Sequence, residues 1–250
     1  MPFTLAHAAF VLPARRWWRH GFLALAVGSF GPDLPYFFPS SALAGLPSTH
    51  SWSGALTVGA GLSLLLLMAM VGLRKTLVLP LWGKHRAFVA RELACYARPS
   101  WLWLLAIPAV TVGSAVHYLT DAATHRNGWF VARIPALNAE LPPVFGREVA
   151  VFHTIQYTAS ILGLAVLAWW YGRELAAMPE PPPDAPEGTP RTLGVLWLFA
   201  SAFGVLAACS AGARFASPHG RIYVALTSGI SAFVPLYLLL GVLLLLAGRR

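Results

Sequence analysis

The chain has few charged residues and few cysteines for its length. Only 11% of its 250 residues are Asp, Glu, Lys or Arg, whereas a soluble globular domain has about 25%. The two cysteines, Cys95 and Cys209, are far apart, which argues against a secreted fold built on disulfides. With 57% hydrophobic residues, the chain also differs from a disordered protein. A water-soluble enzyme of one or two domains is therefore excluded.

Long apolar stretches occur instead. Residues 54–73, 192–213 and 222–248 contain no Asp, Glu, Lys, Arg or His, and each is long enough, as a helix, to cross a hydrocarbon core about 30 Å thick. A further apolar stretch, at residues 21–38, is weaker because Gly28, Gly31 and Pro32 interrupt it. It either spans the membrane or turns back. The pattern predicts an all-α polytopic membrane helix bundle with about six transmembrane helices, at residues 21–38, 54–73, 100–120, 150–172, 192–213 and 222–248.

The basic residues predict an orientation in the membrane. If all six stretches span, thirteen of the 18 Lys and Arg residues lie on one side, and the other five are Arg126, Arg133, Arg147, Arg214 and Arg221. Cytoplasmic loops are enriched in Lys and Arg, so we expect a multi-pass protein of the bacterial inner (cytoplasmic) membrane with both termini in the cytoplasm. Loops 39–53 and 121–149 then face outward. We expect the lipid bilayer as a partner and no nucleic acid, since no basic run is interleaved with exposed aromatics.

A proline-rich stretch divides the chain. Residues 178–190 read MPEPPPDAPEGTP, and because proline fixes φ and removes backbone donors, we expect an extended linker at 179–191. The predicted membrane domain before it, 1–178, contains all the polar groups that are embedded in apolar sequence. The two-helix membrane segment after it, 192–250, has only small residues and Pro235 as unusual features. We therefore expect a functional site in the first part.

Aspartate is rare, and two of the three Asp residues, Asp33 and Asp121, lie beside or inside apolar stretches. A carboxylate there is costly unless it is paired or binds a cation. Asp121 is four residues from both His117 and His125, which places the three side chains on one helix face. His117 and Asp121 can simply pair or can share a metal, and we favour the metal. His125 would lie about 12 Å from His117 along a straight helix, which is too far for one ion. Either the helix ends early, as Asn127-Gly128 permits, and His125 reaches the same ion, or a second metal is present.

Two further candidates precede the second stretch. Asp33 ends the run Gly31-Pro32-Asp33, and His50 lies shortly before residue 54. In the six-span topology both lie on the same side as Asp121. Imidazole and carboxylate ligands without cysteine suit Zn²⁺, Mn²⁺ or Fe²⁺ and leave room for a bound water. We expect a divalent metal, with Zn²⁺ as the first choice.

Other polar residues could support such a site. His153 and Gln156 are about one turn apart and could hold metal ligands in place, although a membrane histidine such as His153 more often makes a packing hydrogen bond. Arg126, Arg133 and Arg147 share the loop after His125. They could bind a substrate phosphate or anchor this loop to lipid headgroups. The sequence leaves both alternatives open.

Four motifs form a recognisable set. They are MPFTLAH at 1–7, GSFGPD at 28–33 followed by Tyr36-Phe37, Thr49-His50-Ser51, and HYLTDAATH at 117–125 followed by RNGW. Together they resemble a bacterial membrane family called domain of unknown function 4184, over about residues 1–165 and including Gln156, Ser160 and Gly163. That family is similar to inner-membrane proteins thought to be metal-dependent hydrolases, which have been likened to zinc phospholipase C. The resemblance implies a metal site formed by His7, Asp33, His50, His117, Asp121 and His125.

His7 makes the topology ambiguous. If the first stretch spans, His7 is cytoplasmic while the other five candidates are outside. If the stretch turns back, His7 joins them, but Arg15, Arg16 and Arg19 also move outward. The division of basic residues then changes from thirteen against five to ten against eight.

These observations lead to one functional hypothesis and one alternative. The first is a membrane-bound metal-dependent hydrolase acting on a phosphate-containing substrate, in a narrower form a lipid-linked one. No catalytic base is evident in the sequence, so a metal-bound water would be the nucleophile. The alternative is a metal-ion transporter or sensor that uses the same ligands without hydrolysis. Transport would need further polar groups across the bilayer, and the last two helices supply few of them.

Overall fold

The computed structural model describes residues 4–19, 21–37, 47–97, 101–144, 147–180, 190–210 and 218–247. Its helices are α1 (His7–Val11), α2 (Phe22–Gly28), α3 (Trp52–Gly72), α4 (Arg74–Val78), α5 (Gly83–Ala94), α6 (Leu102–Thr124), α7 (Pro135–Asn138), α8 (Val151–Ala176), α9 (Pro190–Ser210) and α10 (Pro218–Ala247). A short antiparallel hairpin, which the sequence did not predict, consists of β1 (Glu140–Val144) and β2 (Arg147–Ala150), with Glu140 opposite Ala150. Most of the predicted linker lies outside the described residues.

Five of the described helices are long and apolar enough to cross a membrane. They are α3, α6, α8, and residues Arg191–Ser210 and Arg221–Ala247 of α9 and α10. Large apolar side chains on them are exposed, for example Leu104 and Leu198, at 74% and 72% of their surface. A bilayer, unlike water, covers such faces without cost. The protein is an all-α polytopic membrane protein, as predicted.

The first apolar stretch does not form one long helix. Helix α2 has seven residues, and a 3₁₀ segment follows at Gly31–Phe37. Pro32 and Pro35 remove backbone donors there, which disfavours a regular helix. Gly31 is required by close packing, because a Cβ at this position would collide with the Ser63 hydroxyl and the Gly59 carbonyl of α3. This break turns Asp33 into the interior, where it is fully buried.

The described chain divides into two compact units. One comprises Met1–Ala69 with Arg98–Glu174, and the other comprises Met70–Ala97 with Leu175–Arg250. In the second unit α9 packs against α10, and the Tyr237 hydroxyl donates a hydrogen bond to the Leu77 carbonyl. The first unit contains every candidate site residue that the sequence singled out.

The N-terminal segment runs along α8 inside the first unit. Ala6 lies against Gly163, in the middle of α8. Arg15 forms an ion pair of 2.8 Å with Glu174, and its guanidinium lies 4.9 Å from the ring centroid of Trp170. Gly163 and Glu174 are eleven residues apart, which corresponds to roughly 16 Å along a helix. His7 and Arg15 therefore lie at different levels of the unit, whereas both alternatives drawn from the sequence placed them on the same side of the membrane.

Candidate metal centre

The structure brings all six predicted ligand residues together. His7 begins α1, Asp33 lies in the 3₁₀ segment after α2, and His50 lies in the turn before α3. His117 and Asp121 belong to the last two turns of α6, and His125 is the residue after this helix. Four of the six side chains are buried, and those of His50 and His125 remain 24% and 28% exposed. The cluster is thus open on the side of these two histidines.

Four of these side chains form a compact core, which we call the His/Asp core: Asp33, His50, His117 and Asp121. One ligand atom from each lies within 4.8 Å of all the others. The His50 Nε2 atom is 3.3 Å from Asp33 Oδ1 and 3.4 Å from Asp121 Oδ2. The His117 Nε2 atom is 3.5 Å and 3.3 Å from the same two oxygens. Each imidazole therefore faces both carboxylates, an arrangement that suits a shared cation.

The second oxygen of Asp121 faces the remaining two histidines. Its Oδ1 atom is 3.5 Å from His7 Nε2 and 3.5 Å from His125 Nδ1. The His7 ring also stacks on the His117 ring, with centroids 4.0 Å apart. Asp121 thus lies between the His/Asp core and these two rings, which border the core without belonging to it.

His125 reaches Asp121 because α6 ends before it. The helix stops at Thr124, and His125 has extended backbone angles, φ −117° and ψ 142°. Its amide donates to the Asp121 carbonyl at 3.0 Å, which folds the residue back over the last turn. Of the two alternatives considered for His125, the early helix end is the one observed.

Three residues that the sequence analysis did not single out orient the core. The Ser29 carbonyl, 2.9 Å from His117 Nδ1, can only accept a hydrogen bond, so Nδ1 donates to it and Nε2 is the nitrogen that faces the core. Thr4 donates to Asp33 Oδ2 at 2.7 Å. Thr49 donates to the Pro32 carbonyl at 2.7 Å and lies 3.2 Å from His50 Nδ1, from which it can accept. Partners of this kind fix the direction of metal ligands.

Several buried polar atoms of the cluster have no hydrogen-bond partner among the described residues. They are both ring nitrogens of His7, Nε2 of His117, both carboxylate oxygens of Asp121 and Nε2 of His125. Buried polar groups are normally hydrogen-bonded, and leaving them unpaired is costly. A divalent cation would satisfy nitrogen and oxygen donors of this kind, so the residues present fit a metal ion.

The histidines around the core differ in charge. Burial, together with the neighbouring His117, lowers the pKa of His7 to about 3. Its ring is therefore neutral, which is the form that binds metals. Burial also acts to lower the pKa of His50, but its contacts with Asp121 and Asp33 outweigh this and raise the pKa to about 9. A cation that binds His50 must displace this proton.

The predicted supporting residues have varied surroundings. Gln156 is buried on the face of α8 that also carries Gly163, whereas His153 is half-buried with its ring 4.2 Å from that of Phe152. Arg126 and Arg133 are exposed, and the Arg147 side chain lies outside the described residues. The roles predicted for these residues, in support of the ligands or in phosphate binding, stay predictions.

The fold and the His/Asp core define a polytopic membrane protein with a buried centre of imidazole and carboxylate groups. The chain belongs to the family Domain of unknown function (DUF4184), whose model matches residues 1–245. The resemblance seen in the motifs is thereby confirmed, and the match extends beyond residue 165 through the last two helices. No curated protein and no solved structure matches the chain.

Proposed function

We propose that the protein is a membrane-bound, metal-dependent hydrolase of a phosphate-containing substrate. The observation that carries this proposal is the His/Asp core, whose ligand atoms lie within 4.8 Å of one another. Two carboxylates balance the charge of a divalent cation, and two imidazoles complete a nitrogen and oxygen set typical of Zn²⁺. Zn²⁺ can expand from four ligands to five, and the partly exposed side of His50 gives a further ligand access to the core.

The residues around the core support catalysis more than simple storage of an ion. When bound, a divalent cation supplies Lewis acidity, which polarises a phosphoryl oxygen and lowers the pKa of water. Ser29 and Thr4 hold His117 and Asp33 in fixed directions, so the ligands need little rearrangement. The partly exposed edge at His50 and His125 gives a substrate access, and Arg126, which follows His125, is exposed and available for a phosphate.

The position of Arg15 supports an outward-facing site. Arg15 pairs with Glu174 at the C-terminal end of α8, whereas the His/Asp core lies at the C-terminal end of α6 and the N-terminal end of α3. Successive spanning helices alternate in direction, so these are opposite faces of the membrane. His7 can thus join the cluster while Arg15 stays with the thirteen basic residues. Because cytoplasmic loops are enriched in Lys and Arg, the side with the thirteen basic residues would be the cytoplasmic side of a bacterial inner membrane, and the His/Asp core would face outward.

A metal transporter or sensor would use the same core, and a transporter would also need further polar groups across the bilayer. In the described part of α9 and α10, no ionisable side chain is buried. Among all described residues, the His/Asp core is the one group of three or more candidate ligands close enough to share an ion. A chain of further polar sites across the bilayer therefore has no support here, which favours hydrolysis over transport.

The test is hydrolysis by purified, metal-loaded protein. We expect cleavage of at least one member of a panel of phosphomonoesters and phosphodiesters, lipids included, and loss of that activity in His117→Ala. His85→Ala, which changes a histidine of α5, serves as the matched control and should retain it. A wild-type sample with full metal occupancy that cleaves nothing in the panel would contradict the proposed substrate class.

A further inference from the structure

An apolar groove is formed by residues that follow the His/Asp core residues in the sequence. It has a volume of about 470 Å³, within the usual range for ligand sites, and we call it the aromatic groove; it is lined by Trp52, Tyr118, Leu119, Ala122, Trp129 and Phe130. Tyr118 and Ala122 each follow a core residue of α6, and Trp52 lies two positions after His50. The groove and the core therefore occupy adjacent faces of the same elements.

The bilayer is the environment that this groove meets. Leu119 belongs to the membrane span of α6 and is 46% exposed. Trp52 and Trp129 are about half exposed, and the Trp52 ring packs edge-on against Tyr118 with centroids 5.5 Å apart. Because an exposed face of a spanning helix contacts lipid, a hydrocarbon chain fits an apolar recess there better than water or a polar ligand does.

A positive charge is fixed at one edge of the aromatic groove. The Arg133 guanidinium lies 4.2 Å from the centroid of the Trp129 ring. Its Nη1 atom donates a hydrogen bond of 3.2 Å to the Trp129 carbonyl. Arginine binds phosphate well because its planar group offers several donors. The groove thus combines an apolar recess, a cation at the edge and the adjacent His/Asp core.

We propose that the aromatic groove seats an acyl chain of an anionic, phosphate-bearing lipid taken from the bilayer and so presents the lipid's phosphate to the His/Asp core. This inference rests on the proposed function and narrows its substrate class to an anionic membrane lipid. The charge of Arg133 complements the phosphate, and the exposure of Leu119 on a membrane span lets the chain enter sideways from the bilayer.

Photocrosslinking tests the occupant of the groove without requiring turnover. The probe is phosphatidic acid with a diazirine at the end of one acyl chain, used in phosphatidylcholine nanodiscs with the metal-loaded full chain. We expect labelling of peptides that contain Trp52, Tyr118 or Trp129. Excess unlabelled phosphatidic acid should compete with this labelling, and diacylglycerol, which lacks the phosphate, should not.

A pair of variants on α6 provides the control. Leu119→Trp fills the groove and should reduce the labelling by about fivefold or more, whereas Leu104→Trp adds the same ring at another exposed position of the helix and should leave it unchanged. Metal content shows whether Leu119→Trp has retained the core. Labelling that is unaffected by Leu119→Trp, or that diacylglycerol displaces equally well, would overturn the groove assignment. Specific labelling of a protein that hydrolyses no phosphoester would instead keep the groove and refute the hydrolase.

Discussion

The two compact units of the chain differ in what they bury. Among the described residues, the second unit buries Thr76 and the hydroxyl group of Tyr96. The first unit buries ten polar side chains: His7, Ser29, Asp33, Thr49, Ser63, Ser114, His117, Asp121, Thr124 and Gln156. The candidate membrane spans have 21 to 26 residues in the first unit and 20 and 27 in the second, so the length of the spans does not explain the difference.

This contrast indicates where the chemistry lies. Polar groups inside a membrane protein are expensive and are retained where they bind or react. In the first unit they converge on Asp121, which lies within 3.5 Å of a ring nitrogen of each of four histidines. In the second unit the polar contacts are scattered, such as the hydrogen bond from Tyr237 to the Leu77 carbonyl, and they do not converge on one residue. We interpret the first unit as the carrier of the site and the second as a membrane scaffold.

The largest expected effect is the change of metal affinity with pH. Because the pKa of His50 is about 9, this ring carries a proton at neutral pH that a metal must displace. Metal affinity should therefore fall by about tenfold for each pH unit below 9 through this group alone, or about a hundredfold between pH 8 and pH 6. His7, with a pKa of about 3, stays neutral over this range and contributes nothing to the slope.

The measurement is zinc affinity by chelator competition at several pH values, in wild type and His50→Gln. The variant binds more weakly and should lose one proton from the pH dependence. His85→Ala is the control in the second unit and should keep the full slope. Equal slopes in wild type and His50→Gln would show that His50 is not displaced by the metal.

A smaller effect is expected from a residue that orients a ligand. Thr4→Val removes the hydrogen bond to Asp33 Oδ2 and should weaken metal affinity by about tenfold, at the lower end of the range for such partners. The matched control is Thr227→Val in α10, whose hydroxyl donates to the backbone carbonyls of Tyr223 and Val224 in its own helix. If both variants bind metal like wild type, the orienting role of Thr4 is wrong.

The smallest effects should come from two ion pairs, one in each unit. Arg15 and Glu174 are mostly buried, with 10% and 22% of their side chains exposed, and Arg15→Met should lower the thermal midpoint clearly. In the pair of Lys84 with Glu180 the glutamate is 82% exposed, so Lys84→Met should change stability by less than about 1 kcal/mol. Thermal unfolding in detergent compares the two. Neither change should alter the metal content per folded protein, and a loss of metal in Arg15→Met would place that pair within the site.

The membrane helices and the cluster could be predicted from the sequence for different reasons. Three of the five long helices follow from apolar runs without charged residues, and the other two follow from long apolar stretches that contain few ionisable residues. Asp33, His117 and Asp121 stand out because ionisable groups are rare in apolar stretches, and the spacing of the last two matches one helical turn. His50 was added because the predicted topology places it on the same side as Asp121 and because the family resemblance includes it. Local pattern therefore identified part of the core, and the predicted topology and the family resemblance supplied the rest.

The parts that sequence could not supply depend on tertiary packing. The position of His7 along α8 depends on the contact of Ala6 with Gly163. The hydropathy of the sequence carries no information about this contact. Ser29 acts through its backbone carbonyl, which every residue possesses, so its role has no sequence signature. Thr4 and Thr49 could have been noticed, since each lies in a motif beside a predicted ligand and can donate a hydrogen bond.

The most direct test of the account is metal content by elemental mass spectrometry on detergent-purified protein. Wild type, Asp121→Asn and His117→Ala should be compared with Thr76→Val, which changes a buried polar residue of the second unit. The account predicts stoichiometric divalent metal in wild type and Thr76→Val, and its loss in both core variants. A wild-type protein that contains no metal after purification with added zinc and manganese would contradict it and would reduce the His/Asp core to a buried polar network.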